Sequence, residues 1–157
     1  MNKLRARALG IFCFILLLFA TLCQAERVGS QVSRYVILTF DDNKLQMASD
    51  YTVAIMDSYG YKGVAFPVVD WTGTSNPVWA HIMQEGWEIG CHTWTHADLN
   101  NVSASQLHHE VVDAKASLEQ MFGIHIISFA YPGSEGWNNA TVLQEIANAG
   151  FLYARDG

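Results

Sequence analysis

Tyr35-Val36-Ile37-Leu38-Thr39-Phe40 is a continuous apolar, β-branched run that ends in two acids, Asp41-Asp42. A strand with one wet face alternates apolar and polar residues, so a run without alternation belongs to a parallel sheet covered on both faces. Parallel strands need long crossovers, commonly helices, and the chain supplies them in turn. Ala48, Tyr51, Ile55 and Tyr59 recur on one helical face, with Gly60 as a stop. Gly63-Val64-Ala65-Phe66 with Val68-Val69 is a second strand; Asn76-Pro77 is an N-cap with proline at N1, opening a helix that Gly86 closes. Trp87 to Cys91 forms a third strand. Ser103-x-x-Gln106 is a capping box, and Leu107, Val111, Ala114, Leu118 and Met121 follow as an apolar stripe ended by Gly123. Ile124 to Ala130 is a fourth strand, Asn139 to Ala149 a helix stopped by Gly150, and Phe151 to Ala154 the start of a fifth strand. Such alternation implies right-handed βαβ units around a parallel sheet, as a barrel or an open doubly wound sheet. At 157 residues there is room for one domain, but the chain is short for a complete α/β barrel.

The N-terminus reads separately. Lys3, Arg5 and Arg7 precede an apolar run from Ala8 to Leu22, then Cys23-Gln24-Ala25 and the charged Glu26-Arg27. This is a signal-peptide pattern, with cleavage expected after Ala25 and residues 26–157 left as the mature domain. The chain is then secreted, periplasmic or in the cell envelope, with no stable membrane span after cleavage; an uncleaved anchor is the alternative. Leu22 argues against a lipidated Cys23, because that position calls for a small residue. Cleavage removes three of the nine basic residues and none of the fifteen acidic ones, taking the net charge from −6 to −9. A chain so acidic repels phosphate backbones, which argues against a nucleic-acid partner. Cys91 alone remains, so there is no internal disulfide framework.

Chemistry gathers in the segment from Trp87 to His96, which carries His92 and His96 four residues apart. Neutral imidazole is the commonest metal ligand, and a helical turn after Gly90 would put both rings on one face. A catalytic divalent site usually takes three protein ligands, so a third, a carboxylate, is expected from Asp41-Asp42. Position strengthens the case. Asp41-Asp42 follows strand one, His92 to His96 follows strand three and Tyr131-Pro132-Gly133 follows strand four, all at carboxyl ends, where active sites of parallel α/β sheets are built.

The constellation resembles the polysaccharide deacetylase family, also called the NodB homology domain or carbohydrate esterase family four, over roughly Arg34 to Gly157. Thr39-Phe40-Asp41-Asp42 is similar to its first motif, His92-Thr93-Trp94-Thr95-His96 to its second and Phe129-Ala130-Tyr131-Pro132-Gly133 to its third. The resemblance implies a distorted (β/α) barrel, incomplete at its C-terminal side here. It implies that Asp42, His92 and His96 hold a divalent ion, expected to be zinc, and that Asp41 is the general base of an attacking water. The Gly133 N–H would stabilise the oxyanion, while Tyr131, Pro132, Trp94 and Trp137 would line the substrate groove. Departures are also visible. Asn43 stands for a usual glycine, Ala130 for an arginine that pairs with the catalytic aspartate in many members, and Gly133 for a common aromatic. The later motifs, including a Leu-x-His general acid, are not found before Gly157.

The remaining candidates have plainer readings. Cys91 points away from His92 by strand alternation and is expected to be a buried small apolar residue rather than a ligand or redox thiol. His81, His108 and His109 are expected at the surface, and His125 has no partner visible in sequence. Trp71, Trp79 and Trp87 are expected to be core. The implied function is removal of N-acetyl groups from a glycan such as peptidoglycan, chitin or poly-N-acetylglucosamine. A catalytically impaired carbohydrate-binding relic, or a deacetylase of a non-carbohydrate amide or O-acetyl ester, are the alternatives. Five strands do not close a barrel, so self-association through open sheet edges is expected.

Overall fold

Five short parallel strands run in sequence order across the molecule. A computed structural model of the chain describes residues 35–46, 51–73 and 75–156, and the segment 1–25, expected to be a signal peptide, lies outside them. Strand β1 (Thr39–Asp41) pairs with β2 (Val64–Phe66), Thr39 facing Val64 and Asp41 facing Phe66. Strand β2 pairs with β3 (Glu88–Ile89), and β4 (Ser128–Ala130) with β5 (Tyr153–Arg155). A parallel bridge between Cys91 and Phe129 joins the two ladders, through Cys91 N donating to Ser128 O at 3.0 Å and Ala130 N to Cys91 O at 2.9 Å. Ile37 and Thr39 at one end share a cavity of about 270 Å³ with Tyr153 and Arg155 at the other. The strands therefore curve around a common interior, as in a barrel that is part formed.

The helices lie between strands, where the sequence places them. Helix α1 is Thr52–Ser58 and α2 is Pro77–Gln84, the latter capped by Asn76, whose side chain accepts from Val78 N at 3.0 Å. Helix α3 (Ala104–His108) opens with the full Ser103/Gln106 capping box, runs through a π-helical turn (His109–Asp113) and continues as α4 (Ala114–Phe122), ended by Gly123 in the left-handed conformation. Helix α5 (Ala140–Asn148) is capped by Asn139. Leu107, Val111, Ala114 and Leu118 are buried, as their stripe requires, and pack in one core with Ile82, Ile89, Ile126 and Phe129. Gly90 is needed at its place: a Cβ there would lie 2.3 Å from the Phe66 ring and 2.7 Å from Ser128 Oγ. The backbone of β3 passes that close to its neighbours, and this brings the following residues to the strand ends. No helix among the described residues is long and apolar enough to cross a membrane.

Three expectations are corrected. The run Tyr35–Phe40 is not a strand buried on both faces; the strand begins at Thr39, with Ile37 74% and Leu38 40% exposed. Ile37 lines the open interior, where nothing among the described residues covers it. Helix α1 does not bury Tyr51, Ile55 and Tyr59, which are exposed; it buries Met56, with Val53 half-buried beside the core. That face is displaced from the expected one by a single residue, which on a helix is about 100°. Finally, β3, β4 and β5 are shorter than their apolar runs. Val68-Val69 does not extend β2, since Val69–Trp71 forms a 3₁₀ turn.

Candidate metal centre

The first wall of the site is the turn after β1. Asp42 and Asn43 both adopt left-handed backbone, φ 60° and 53°. Non-glycine residues held there cost on the order of 1–3 kcal/mol each and persist only where the surroundings over-determine them. Asn43 does the fixing: its buried Oδ1 accepts from Val68 N at 2.6 Å and its Nδ2 donates to Thr72 Oγ1 at 2.7 Å. Asparagine thus tolerates the positive φ that the usual glycine would take, and adds bonds glycine lacks.

The second wall is the loop after β3. His92 N donates to Pro67 O at 3.0 Å, which continues the β2–β3 ladder by one hydrogen bond beyond Gly90 N to Ala65 O. The chain does not then turn helical, as the histidine spacing suggested. Thr93 (φ 69°) and His96 (φ 66°) are both left-handed, and His96 N donates to Thr93 Oγ1 at 3.0 Å. A β-branched residue with positive φ is a true outlier. The tight loop, rather than a helix face, brings the rings together, with centroids 4.9 Å apart and planes at 75°.

Asp42 Oδ1 lies 3.4 Å from His92 Nε2 and 3.2 Å from His96 Nε2, and one ligand atom from each residue falls within 4.8 Å of the others. The protons decide what this cluster is. His92 is 2% exposed, and its Nδ1 lies 2.8 Å from the carbonyl oxygen of Ala130, which can only accept. Nδ1 therefore carries the hydrogen. Burial, against the smaller opposing pull of the Ala130 carbonyl and Asp41, lowers the His92 pKa below its ordinary 6.5, so the ring is neutral and Nε2 has a bare lone pair. That lone pair faces Asp42 Oδ1, itself buried without a hydrogen bond among the described residues. Two electron-pair donors set against each other without a proton call for a cation, and the carboxylate–imidazole set fits a divalent metal. Among the described residues no other group of three such side chains converges.

Around the cluster, Asp41 meets the Arg155 guanidinium. β5 thus supplies Asp41 with an arginine where β4 has Ala130. Arg155 is held over the Phe66 ring at 4.9 Å, and its carbonyl accepts from Tyr131 N at 3.0 Å. Tyr131 and Pro132 are buried at the end of β4, and Gly133 follows with φ 57°. Burial, and secondarily Asp156, raises the Tyr131 pKa. Trp94 turns its indole N–H to Asp70 Oδ1 at 2.6 Å and stacks on His109 with centroids 4.3 Å apart, while Trp137 is half exposed. Trp71, expected in the core, is 46% exposed and stacks on His96 at 5.2 Å. With Asp42 and Asn43 it lines an open cleft of about 540 Å³.

The other candidates fall as their plain readings have it. Cys91 is fully buried and its thiol is pushed up to about 12, burial being the main cause. His81, His108 and His109 pair with Asp57, Glu145 and Asp113, and His125 finds Glu119 at 2.9 Å. Sequence reasoning missed Arg155 and Glu110. Arg155 stands at the carboxyl end of the fifth strand, one residue past where that strand was drawn. Glu110 is a lone acid inside the apolar stripe, and that was its signal.

The model of the family described as polysaccharide deacetylase matches residues 29–154. The chain belongs to that family. It is 32% identical over 114 residues to a gellan lyase of Bacillus sp, covering 72% of this chain and 4% of that protein. Against a bifunctional xylanase/deacetylase of Pseudobutyrivibrio xylanivorans the identity is 26% over 108 residues, or 66% and 17% of the two. Among solved structures, the Streptococcus pyogenes deacetylase PplD in complex with acetate superposes with a TM-score of 0.66 at 28% identity, covering 77% of this chain and 55% of that one. A family 4 acetyl xylan esterase from Clostridium thermocellum in complex with a cobalt ion gives 0.66 at 22%, covering 76% and 57%. The chain thus spans a small part of the curated relatives and just over half of these solved chains. The arc of five strands is part of the distorted (β/α) barrel of this family.

Proposed function

We propose that this polysaccharide deacetylase family chain is the metal-dependent part of a secreted hydrolase that removes acetyl groups from an N-acetylated glycan. The observation that carries the proposal is the set of bare donors, Asp42 Oδ1 and His92 Nε2, buried beside His96 Nε2. Asp42, His92 and His96 would hold a divalent ion, with zinc the first expectation. Bound there, such an ion polarises an acyl oxygen and acidifies water.

The rest falls to the protein. Asp41, adjacent in sequence to a ligand but turned to Arg155, takes the proton of the attacking water, and the guanidinium fixes which carboxylate oxygen is presented. The Gly133 N–H is in a turn at the end of β4 and donates to the oxygen that becomes negative. Trp71 offers a half-exposed indole beside His96 on which a sugar ring can stack, with Tyr131, Pro132, Trp94 and Trp137 as the other wall residues. Addition of water and loss of the amine give acetate and a free amino sugar. The test is acetate release from an N-acetylglucosamine oligomer by the wild type and Asp41→Asn. Release that falls at least 100-fold in the variant supports the assignment of the base; release that is unchanged removes it.

A further inference from the structure

Glu110 lies on the π-helical turn His109–Asp113 and is 5% exposed. Its Oε2 accepts from Trp94 N and Thr95 N, each at 2.9 Å, and its Oε1 accepts from Thr95 Oγ1 at 2.6 Å. All three partners are donors, so the group acts as an acceptor only, as a carboxylate does. The residues it binds are the two between Thr93 and His96, the left-handed pair of the loop. The backbone N–H of His96 itself is tied only within the loop among the described residues, to Thr93 Oγ1. The π turn has its own consequence. An extra residue in a helical turn shifts side chains around the axis, and such turns recur at functional sites. Here the turn sets an acid amid the apolar stripe, between buried Leu107 and Ala114, and aims it at the loop.

We infer that Glu110 is a positioning residue of the metal centre: it holds the Trp94-Thr95 backbone so that His96 Nε2 meets His92 Nε2 and Asp42 Oδ1. The inference rests on the metal reading of that cluster. Partners that orient ligands commonly change metal affinity 10–100-fold when removed. Glu110→Ala deletes all three bonds. Glu110→Asp keeps the charge but withdraws the carboxylate by one methylene. Glu110→Gln loses the charge but keeps the shape, since its amide oxygen can accept both N–H groups while its NH₂ donates to the Thr95 hydroxyl.

The measurement is Zn²⁺ affinity by competition with a chromogenic chelator, with the visible absorption of Co²⁺ as a second readout. Both are made on the 157-residue chain well below each variant's melting temperature. Glu110→Ala and Glu110→Asp are expected to bind Zn²⁺ about 10–100-fold more weakly, with an altered cobalt spectrum, and Glu110→Gln to stay near wild type. Should the first two not fold, Thr95→Ala at an exposed position removes one bond and is expected to weaken Zn²⁺ several-fold. Wild-type affinity and spectrum in the folded variants, with only the melting temperature lowered, would overturn the inference and leave Glu110 a cap of the fold. A wild type that binds neither metal removes the metal reading, and this inference with it.

Discussion

At the scale of single residues, the candidate ligands Asp42, His92 and His96 converge on one point, and Arg155 meets the Asp41 carboxylate beside them. Asp42, His92 and His96 were visible because ligand chemistry at strand ends is a pattern local in sequence. Arg155 was not, because its partner Asp41 is 114 residues away and no periodicity relates them. Its role can be checked. Arg155→Met is expected to lower the rate of acetate release by one to two orders of magnitude, roughly the worth of a positioned charge at a base, while leaving Zn²⁺ affinity unchanged. Loss of metal along with rate would make Arg155 structural instead. Cys91 gives a second check. A thiol with its pKa pushed from 9.0 to about 12 forms thiolate only well above neutral pH, so Cys91 is expected to be inert to a disulfide reagent at pH 8 in a folded chain that begins at Glu26 and has no other cysteine. Rapid modification without denaturant would contradict the buried assignment.

At the scale of elements, the sequence marked the helix caps better than the extent of the strands or the face that α1 buries. The caps at Asn76 and Ser103 stand as read, because a cap is a short-range hydrogen bond written in two or three residues, whereas Asn139, read as the first helical residue, is the cap of α5. The face of α1 was misread because four apolar positions over twelve residues are too few to fix a helix's rotation. The loop after β3 was misread for another reason. The loop carries positive φ at Thr93 and His96, and the two residues between them are bonded to Glu110 on a distant helical turn, a contact no local propensity contains. The tight passage at Gly90 belongs to this scale too. Gly90→Ala forces a methyl against the Phe66 ring and Ser128, and is expected to destabilise the fold by about 1–3 kcal/mol and to loosen the site beyond it. A urea melt reads the first effect. A midpoint equal to that of the wild type would show that the strands have room to part.

At the scale of the whole molecule, parallel order and strand-end chemistry followed from the sequence, whereas the curvature that sets β1 near β5 did not. Among the described residues both are edge strands without a partner on their outer side, and the interior between them has apolar walls such as Ile37 and Phe66. Exposed edges of this kind template pairing with another chain, so the 157-residue chain is expected to self-associate as its concentration rises. Light scattering checks this; a monodisperse monomer at high concentration would contradict it. On the proposed reading Asp42, His92 and His96 hold one divalent ion. The direct measurement is metal content of the purified wild type, His92→Ala and His96→Ala after equilibration with Zn²⁺ and removal of excess. The account predicts close to one equivalent in the wild type and little in either variant, with circular dichroism showing both folded. Metal content unchanged in both variants would contradict it.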